Sequence, residues 1–145
     1  LPLSQRFCNV LATELSKPAT AAARLNAETN RTHNIELARL SAEDMTAAMV
    51  GERTFRRLAE LKQPLAHYQF DTLLVDPPRA GLDAATLSLA SRFKRVLYIS
   101  CNPETLGDNL ATLSATHNIE SLAFFDQFPY THHLESGVVL SKKTA

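Results

Sequence analysis

The sequence predicts an α/β fold built on an open, mostly parallel β-sheet. Three observations predict it. Apolar runs of strand length alternate with segments of helical periodicity along the whole chain. Those runs stop abruptly, at Glu14, at Asp76-Pro77-Pro78 and at Cys101-Asn102-Pro103, as strands do where they leave a sheet at its rim. The 145 residues, 45% hydrophobic and 21% charged, suit one domain with a sizeable core.

Taken in order, Asn9 to Thr13 reads as a short buried strand that ends at Glu14. Lys17 to Asn30 is Ala-rich with apolar residues at helical spacing, and Pro18 suits its first turn. Asn34 to Leu40 alternates as a strand. Ser41, with Asp44 three residues on, is a capping-box variant that opens a helix to about Met49. Thr54 to Leu61 continues as a second helical stretch, stopped by Pro64. Phe70 to Val75 is a β-type run halted by two prolines, after which Asp83 caps a helix to about Arg92. Arg95 to Ser100 is the next strand and Pro103 to Thr116 the next helix. Ile119 to Phe125 and Gly137 to Ser141 are the last strands, joined by an aromatic- and histidine-rich link from Asp126 to Ser136.

In such sheets ligands collect beyond the carboxyl ends of the strands, which is where Glu14, Asp76 and Cys101 fall. Net charge is zero, with nine Lys/Arg against seven Asp/Glu in residues 1–62 and six against eight in 63–145. The overall balance therefore does not advertise nucleic-acid binding. A polyanionic partner would use local clusters, Arg53, Arg56 and Arg57 or Arg92, Lys94 and Arg95, which read equally as solvated helix faces. No apolar run reaches membrane-spanning length and no signal peptide opens the chain. Two distant cysteines, Cys8 and Cys101, form no disulfide framework and fit a cytoplasmic setting. Cys8 reads as a structural residue.

Cys101 stands between a strand and a helix N-terminus, where backbone N–H groups stabilise the thiolate that attacks carbon; a small buried hydrophobe is the alternative. Asp76-Pro77-Pro78-Arg79 fixes a carboxylate on a rigid backbone at the rim. Glu14, after a strand, suits the two hydroxyls of a ribose or else caps the next helix. Glu135, at the entrance of the last strand, is a candidate proton acceptor if the fold brings it near Cys101. His132 and His133 lack a third ligand at metal-site spacing and read as shape and hydrogen bonding, so no metal is expected.

Together, Val75-Asp76-Pro77-Pro78-Arg79-Ala80-Gly81-Leu82-Asp83, Tyr98-Ile99-Ser100-Cys101-Asn102-Pro103-Glu104-Thr105-Leu106 and Phe128-Pro129-Tyr130-Thr131-His132-His133-Leu134-Glu135 closely resemble the RNA (uracil-5-)-methyltransferases. The stretch Asp126 to His133 is most similar to the tRNA branch of that family, which makes the T-loop 5-methyluridine. The resemblance implies a Rossmann-like class I fold, S-adenosylmethionine as cofactor and tRNA as partner. It matches Cys101 to the nucleophile, Glu135 to the base that removes the C5 proton, and Asp76 and Glu14 to the cofactor site. Two other readings stay open: a non-catalytic RNA-binding or assembly module on the same fold, and a Cys/His hydrolase using His132 or His133.

The chain opens on Leu1, and its four glycines, Gly51, Gly81, Gly107 and Gly137, lie outside any glycine-rich cofactor loop. The expectation is a partial catalytic domain over residues 1–145, without the family's first strand, glycine loop and N-terminal RNA-binding domain. Such a piece is expected to be inactive alone and to bind S-adenosylmethionine poorly. Its two strands left unpaired by the missing one would favour self-association.

Overall fold

The protein is described by a computed structural model covering residues 1–131 and 133–144. The chain divides into two compact units, Leu1–Gln69 and Phe70–Ala145.

The first unit holds β1 (Val10–Thr13), α1 (Lys17–Thr29), β2 (Ile35–Ala38) and α2 (Ala42–Met49). β1 and β2 pair in parallel, from Val10 opposite Ile35 to Thr13 opposite Ala38. Both helices start on a serine cap: Ser16 Oγ accepts from Ala19 N–H and Ser41 Oγ from Asp44 N–H. Ala27, Ala38 and Leu40 are buried. The helix expected over Thr54 to Leu61 is instead a 3-10 turn, Arg56–Glu60. With Gly51 at φ 79° before it and Pro64 after it, the segment is too short to repay helix nucleation. Side-chain ties fix it: Glu36 accepts from Lys62 N–H at 2.8 Å and from the Tyr68 hydroxyl at 2.9 Å. Burial, then the Glu36 carboxylate, push the Tyr68 phenol up, so it stays a donor.

The second unit holds β3 (Thr72–Val75), α3 (Ala84–Ala90), β4 (Arg95–Ser100), α4 (Pro103–Leu113), β5 (His117–Phe125) and β6 (Glu135–Lys142). Its sheet has the order β3-β4-β6-β5; β3 and β4 are parallel, while β6 runs antiparallel to both neighbours. The first unit thus holds a two-stranded sheet and the second a four-stranded one, among the described residues. Among the described residues, β1 and β3 are each paired along one edge.

Both helices of this unit end earlier than their periodicity suggests. Ser91 and Ser114 hydroxyls bond back to Ser88 O and Ala111 O, an alternative to further helical turns. Alternation then sorts the strands. Val96, Tyr98 and Ser100 of β4 are buried, as are their register partners Leu140, Val138 and Ser136 of β6. α4 covers this face with Leu106, Asn109 and Leu113, three buried residues at helical spacing. The opposite face is more open, with Leu74 40% and Ile99 39% exposed. No helix among the described residues is long and apolar enough to cross a membrane.

Candidate active site at the rim of the four-stranded sheet

The β4–β6 ladder runs from Arg95 opposite Ser141 to Ser100 opposite Ser136. Extending that register by one step sets Cys101 opposite Glu135. Both are half-buried, and strand alternation turns both away from the face that buries Ser100 and Ser136. On the other side of β4, the parallel register ends with Val75 opposite Tyr98, so Asp76 leaves β3 at the same rim and is exposed. Asp76, Cys101 and Glu135 therefore gather at one end of three adjacent strands. Glu135 reaches this end because β6 runs backward: its entrance lies where β3 and β4 exit.

Cys101 is followed by the α4 cap. Asn102 Oδ1 accepts from Glu104 N–H at 3.1 Å, and Pro103 fills the first turn without a surplus donor. Ser100 Oγ accepts from Asn102 N–H at 3.1 Å, which closes a tight turn around the thiol.

The Asp76–Leu82 loop is held by the same helix. Arg79 O accepts from Asn102 Nδ2 at 3.1 Å and from Thr105 Oγ1 at 3.0 Å. Gly81 closes a turn onto Pro78 O at φ 78°, and an ideal Cβ there would stand 2.8 Å from Asn109 Oδ1. Gly81→Ala is therefore expected to cost about 1–2 kcal/mol for the left-handed backbone alone, with more from displacing Asn109. A thermal melt with an unchanged midpoint would count against this.

Asp83 then caps α3, its carboxylate accepting from Thr86 N–H at 2.9 Å and from the Thr86 hydroxyl at 2.8 Å. The Thr86 N–H holds this carboxyl below its ordinary range. The folded state thus favours the charged form. Its contribution is whole above the unfolded value near 3.9 and is lost as pH falls through the lower folded value. Asp83→Ala should cost about 1 kcal/mol at neutral pH and progressively less in acid. Melts of both proteins from neutral pH into acid check this; a constant gap would overturn it.

In the link between β5 and β6, Arg79 Nη1 lies 3.1 Å from His133 Nδ1. A guanidinium only donates, so Nδ1 accepts and the ring proton sits on Nε2. Phe128 packs edge-on against the same ring at 6.1 Å between centroids. His133 thus makes one hydrogen bond and one edge contact; His132 lies outside the described residues. Among the described residues no group of three or more His, Cys, Asp or Glu is placed to hold a metal.

Glu14 belongs to the first unit. It follows β1, is half-buried, and its Oε1 accepts from Ser16 N–H at 2.6 Å at the entrance of α1. Cys8 is exposed, which corrects its reading as a structural residue: it lies before β1, outside any core.

A family model described as tRNA (Uracil-5-)-methyltransferase matches residues 1–143. The chain belongs to the tRNA (uracil-5-)-methyltransferase family. It is 57% identical over 143 residues to a tRNA/tmRNA (uracil-C(5))-methyltransferase of Neisseria meningitidis, covering 99% of this chain and 39% of the relative. It is 60% identical over 140 residues to the enzyme of that name from Acinetobacter baylyi, covering 97% and 39% respectively. The chain thus spans about two-fifths of the length of these curated relatives.

Among solved structures, the chain matches the Pyrococcus abyssi tRNA (uracil-54, C5)-methyltransferase in complex with S-adenosyl-L-homocysteine. The TM-score is 0.66 at 30% identity, over 95% of this chain and 30% of that one. A Streptococcus thermophilus rRNA methylase matches with a TM-score of 0.60 at 10% identity, over 98% of this chain and 78% of that one, and shares the fold alone. The fold of this tRNA (uracil-5-)-methyltransferase family member is accordingly a Rossmann-like class I methyltransferase sheet.

Sequence reasoning missed the polar stripe Asn102, Thr105 and Asn109 on α4. Its signal was legible: three hydrogen-bonding residues at helical spacing beside the apolar Leu106 and Leu113. It also missed Ser136, next to Glu135, whose hydroxyl is buried without a hydrogen-bond partner.

Proposed function

We propose that the chain carries the catalytic centre for S-adenosylmethionine-dependent methylation of uracil C5 in tRNA, at the T-loop uridine. The reading rests on one observation above the others: the β4–β6 register brings a thiol and a carboxylate to one rim, one step beyond Ser100 and Ser136. The two free cysteines fit the cytoplasm as its setting.

Glu14 and Asp76, each within its own unit, are of the residue type that the cofactor's hydroxyl and amino groups call for. Glu14 and Asp76 each follow the last residue of a parallel strand, where a carboxylate accepts from ribose hydroxyls or an amino group. A carboxylate has more acceptor positions than the one that Glu14 gives to Ser16. When bound, S-adenosylmethionine would supply the methyl group for C5.

The chain's own residues supply the rest. Uracil C5 is a poor nucleophile, and the base must first be flipped out of the RNA fold to be reached. Cys101 Sγ, as thiolate, forms a bond to C6; the C5–C6 π pair moves toward O4 and leaves an enolate whose C5 is electron-rich. Once C5 carries the methyl group, Glu135 takes the C5 proton. The electron pair of that C–H bond rebuilds C5=C6, and the C6–S bond breaks to return the thiolate.

The test uses the complete protein that carries these residues with T-arm RNA containing 5-fluorouridine. Fluorine at C5 cannot leave as a proton, so a methylated adduct should survive denaturation and map to the Cys101 peptide. No adduct, or an adduct elsewhere, would defeat the reading.

The 145 residues alone should hold S-adenosylmethionine weakly. None of their glycines forms a cradle for it: Gly107 is within α4, Gly137 within β6, Gly81 faces Asn109, and Gly51 ends α2. Tight binding by calorimetry would contradict this.

A further inference from the structure

We infer that Asn109 is a positioning residue, which sets the Asp76–Leu82 loop against the strand and helix that flank Cys101; the inference rests on the function proposed above. Asn109 is buried in the middle of α4. Its Oδ1 accepts from the Tyr98 hydroxyl at 2.6 Å and from Leu82 N–H at 2.8 Å. One oxygen thus joins β4, α4 and the loop that descends from Asp76. Tyr98 is itself fully buried three residues before Cys101, and burial pushes its phenol up, so it remains a donor.

The junction leaves no slack. Gly81 lacks the Cβ that would strike this oxygen, so the loop backbone packs directly on it. One and two turns earlier on the same helix, Thr105 and Asn102 grip Arg79 O. The loop is therefore held at its middle, Arg79, and at its far end, Leu82, by the helix that starts just after the thiol and by that helix's cap. Asn102 also bonds to Ser100 at the end of β4, through its backbone; Asn109 ties the loop to the buried middle of β4 through its side chain. Without its oxygen, a buried hydroxyl and a half-buried N–H lose their acceptor, and the loop can drift from the strand. Asp76 is the residue that drift would move, so the cost should fall on the cofactor rather than on the RNA.

The test compares Asn109→Leu, which keeps volume and removes the acceptor, with Asn109→Asp, which keeps the acceptor. Both are made in the complete protein that carries these residues. For Asn109→Leu, kcat/KM for S-adenosylmethionine should fall about 10²-fold, the scale of a displaced reactant, while KM for RNA stays at its parental value. The Leu82 amide should exchange faster with solvent, with the β4 amides unchanged. Asn109→Asp should restore both readouts.

An Asp variant as impaired as the Leu variant would overturn the role of the acceptor. So would a Leu variant that keeps its parental KM for S-adenosylmethionine and its parental Leu82 exchange, losing activity only in proportion to its folded fraction. A parent without methyl transfer would instead refute the proposed function, and Leu82 exchange in the two variants would still decide the positioning.

Discussion

Replacing Cys101 by alanine is expected to abolish both the covalent RNA adduct and methyl transfer while leaving the fold intact. Without addition at C6, uracil C5 has no means of becoming nucleophilic, so the loss should exceed about 10³-fold, or about 4 kcal/mol of barrier. Serine should not rescue it, because a hydroxyl is far less ionised than a thiol at neutral pH. The fold should tolerate either change. Cys101 is half-buried beyond the end of β4, outside the core of Val96, Tyr98, Val138 and Leu140. Its removal should change stability by no more than about 0.5 kcal/mol, as for surface positions. Tritium release from C5-labelled tRNA and a thermal melt together read both parts. Parental turnover by Cys101→Ala would remove Cys101 from the mechanism.

Glu135→Gln should give the opposite signature: an adduct that forms and persists. Glutamine keeps the size and hydrogen-bonding shape of glutamate but cannot take a proton. Addition at C6 and methylation at C5 remain possible, whereas elimination waits for a base. Turnover should fall by about 10²–10⁴-fold, the range for a lost general base. The methylated protein–RNA species should build up on ordinary uridine RNA, visible as a denaturation-stable band. The strand should survive, because Glu135 pairs with Phe125 through its backbone. Normal turnover without a trapped species would show that another group takes the proton.

Much of this arrangement was legible in the sequence, for identifiable reasons. Strand and helix alternation is carried by periodicity, and abrupt stops such as Pro77-Pro78 and Asn102-Pro103 cannot be continued by either element. β4 spans Arg95–Ser100 as its composition predicts, and Asp83 caps α3. What periodicity could not supply was long-range pairing. Nothing local says that β6 enters between β4 and β5, and that choice sets Glu135 opposite Cys101. The turn at Arg56–Glu60 shows the reverse error: a helical pattern lost to tertiary ties, here the Glu36 carboxylate holding Lys62 and Tyr68. β5 begins two residues before its apolar run because His117 is buried on Phe93 O, a polar residue that a hydrophobic pattern does not count. The clamp by Asn109 escaped for a similar reason: an asparagine in a helix reads as a solvent residue until Tyr98 and Leu82 are seen to bond to it.

The backward course of β6 has a consequence for how this scaffold can vary. The place of Glu135 is set by its ladder with β4 and β5, not by the segment that leads to it. The span between Phe125 and Glu135 is a hairpin connection whose two ends are already neighbours across the ladder. Insertions or exchanges there should leave the carboxylate in register. On the proposed mechanism, an exchange of the β5–β6 link should leave proton removal by Glu135 in place, because the ladder and not the link sets that carboxylate.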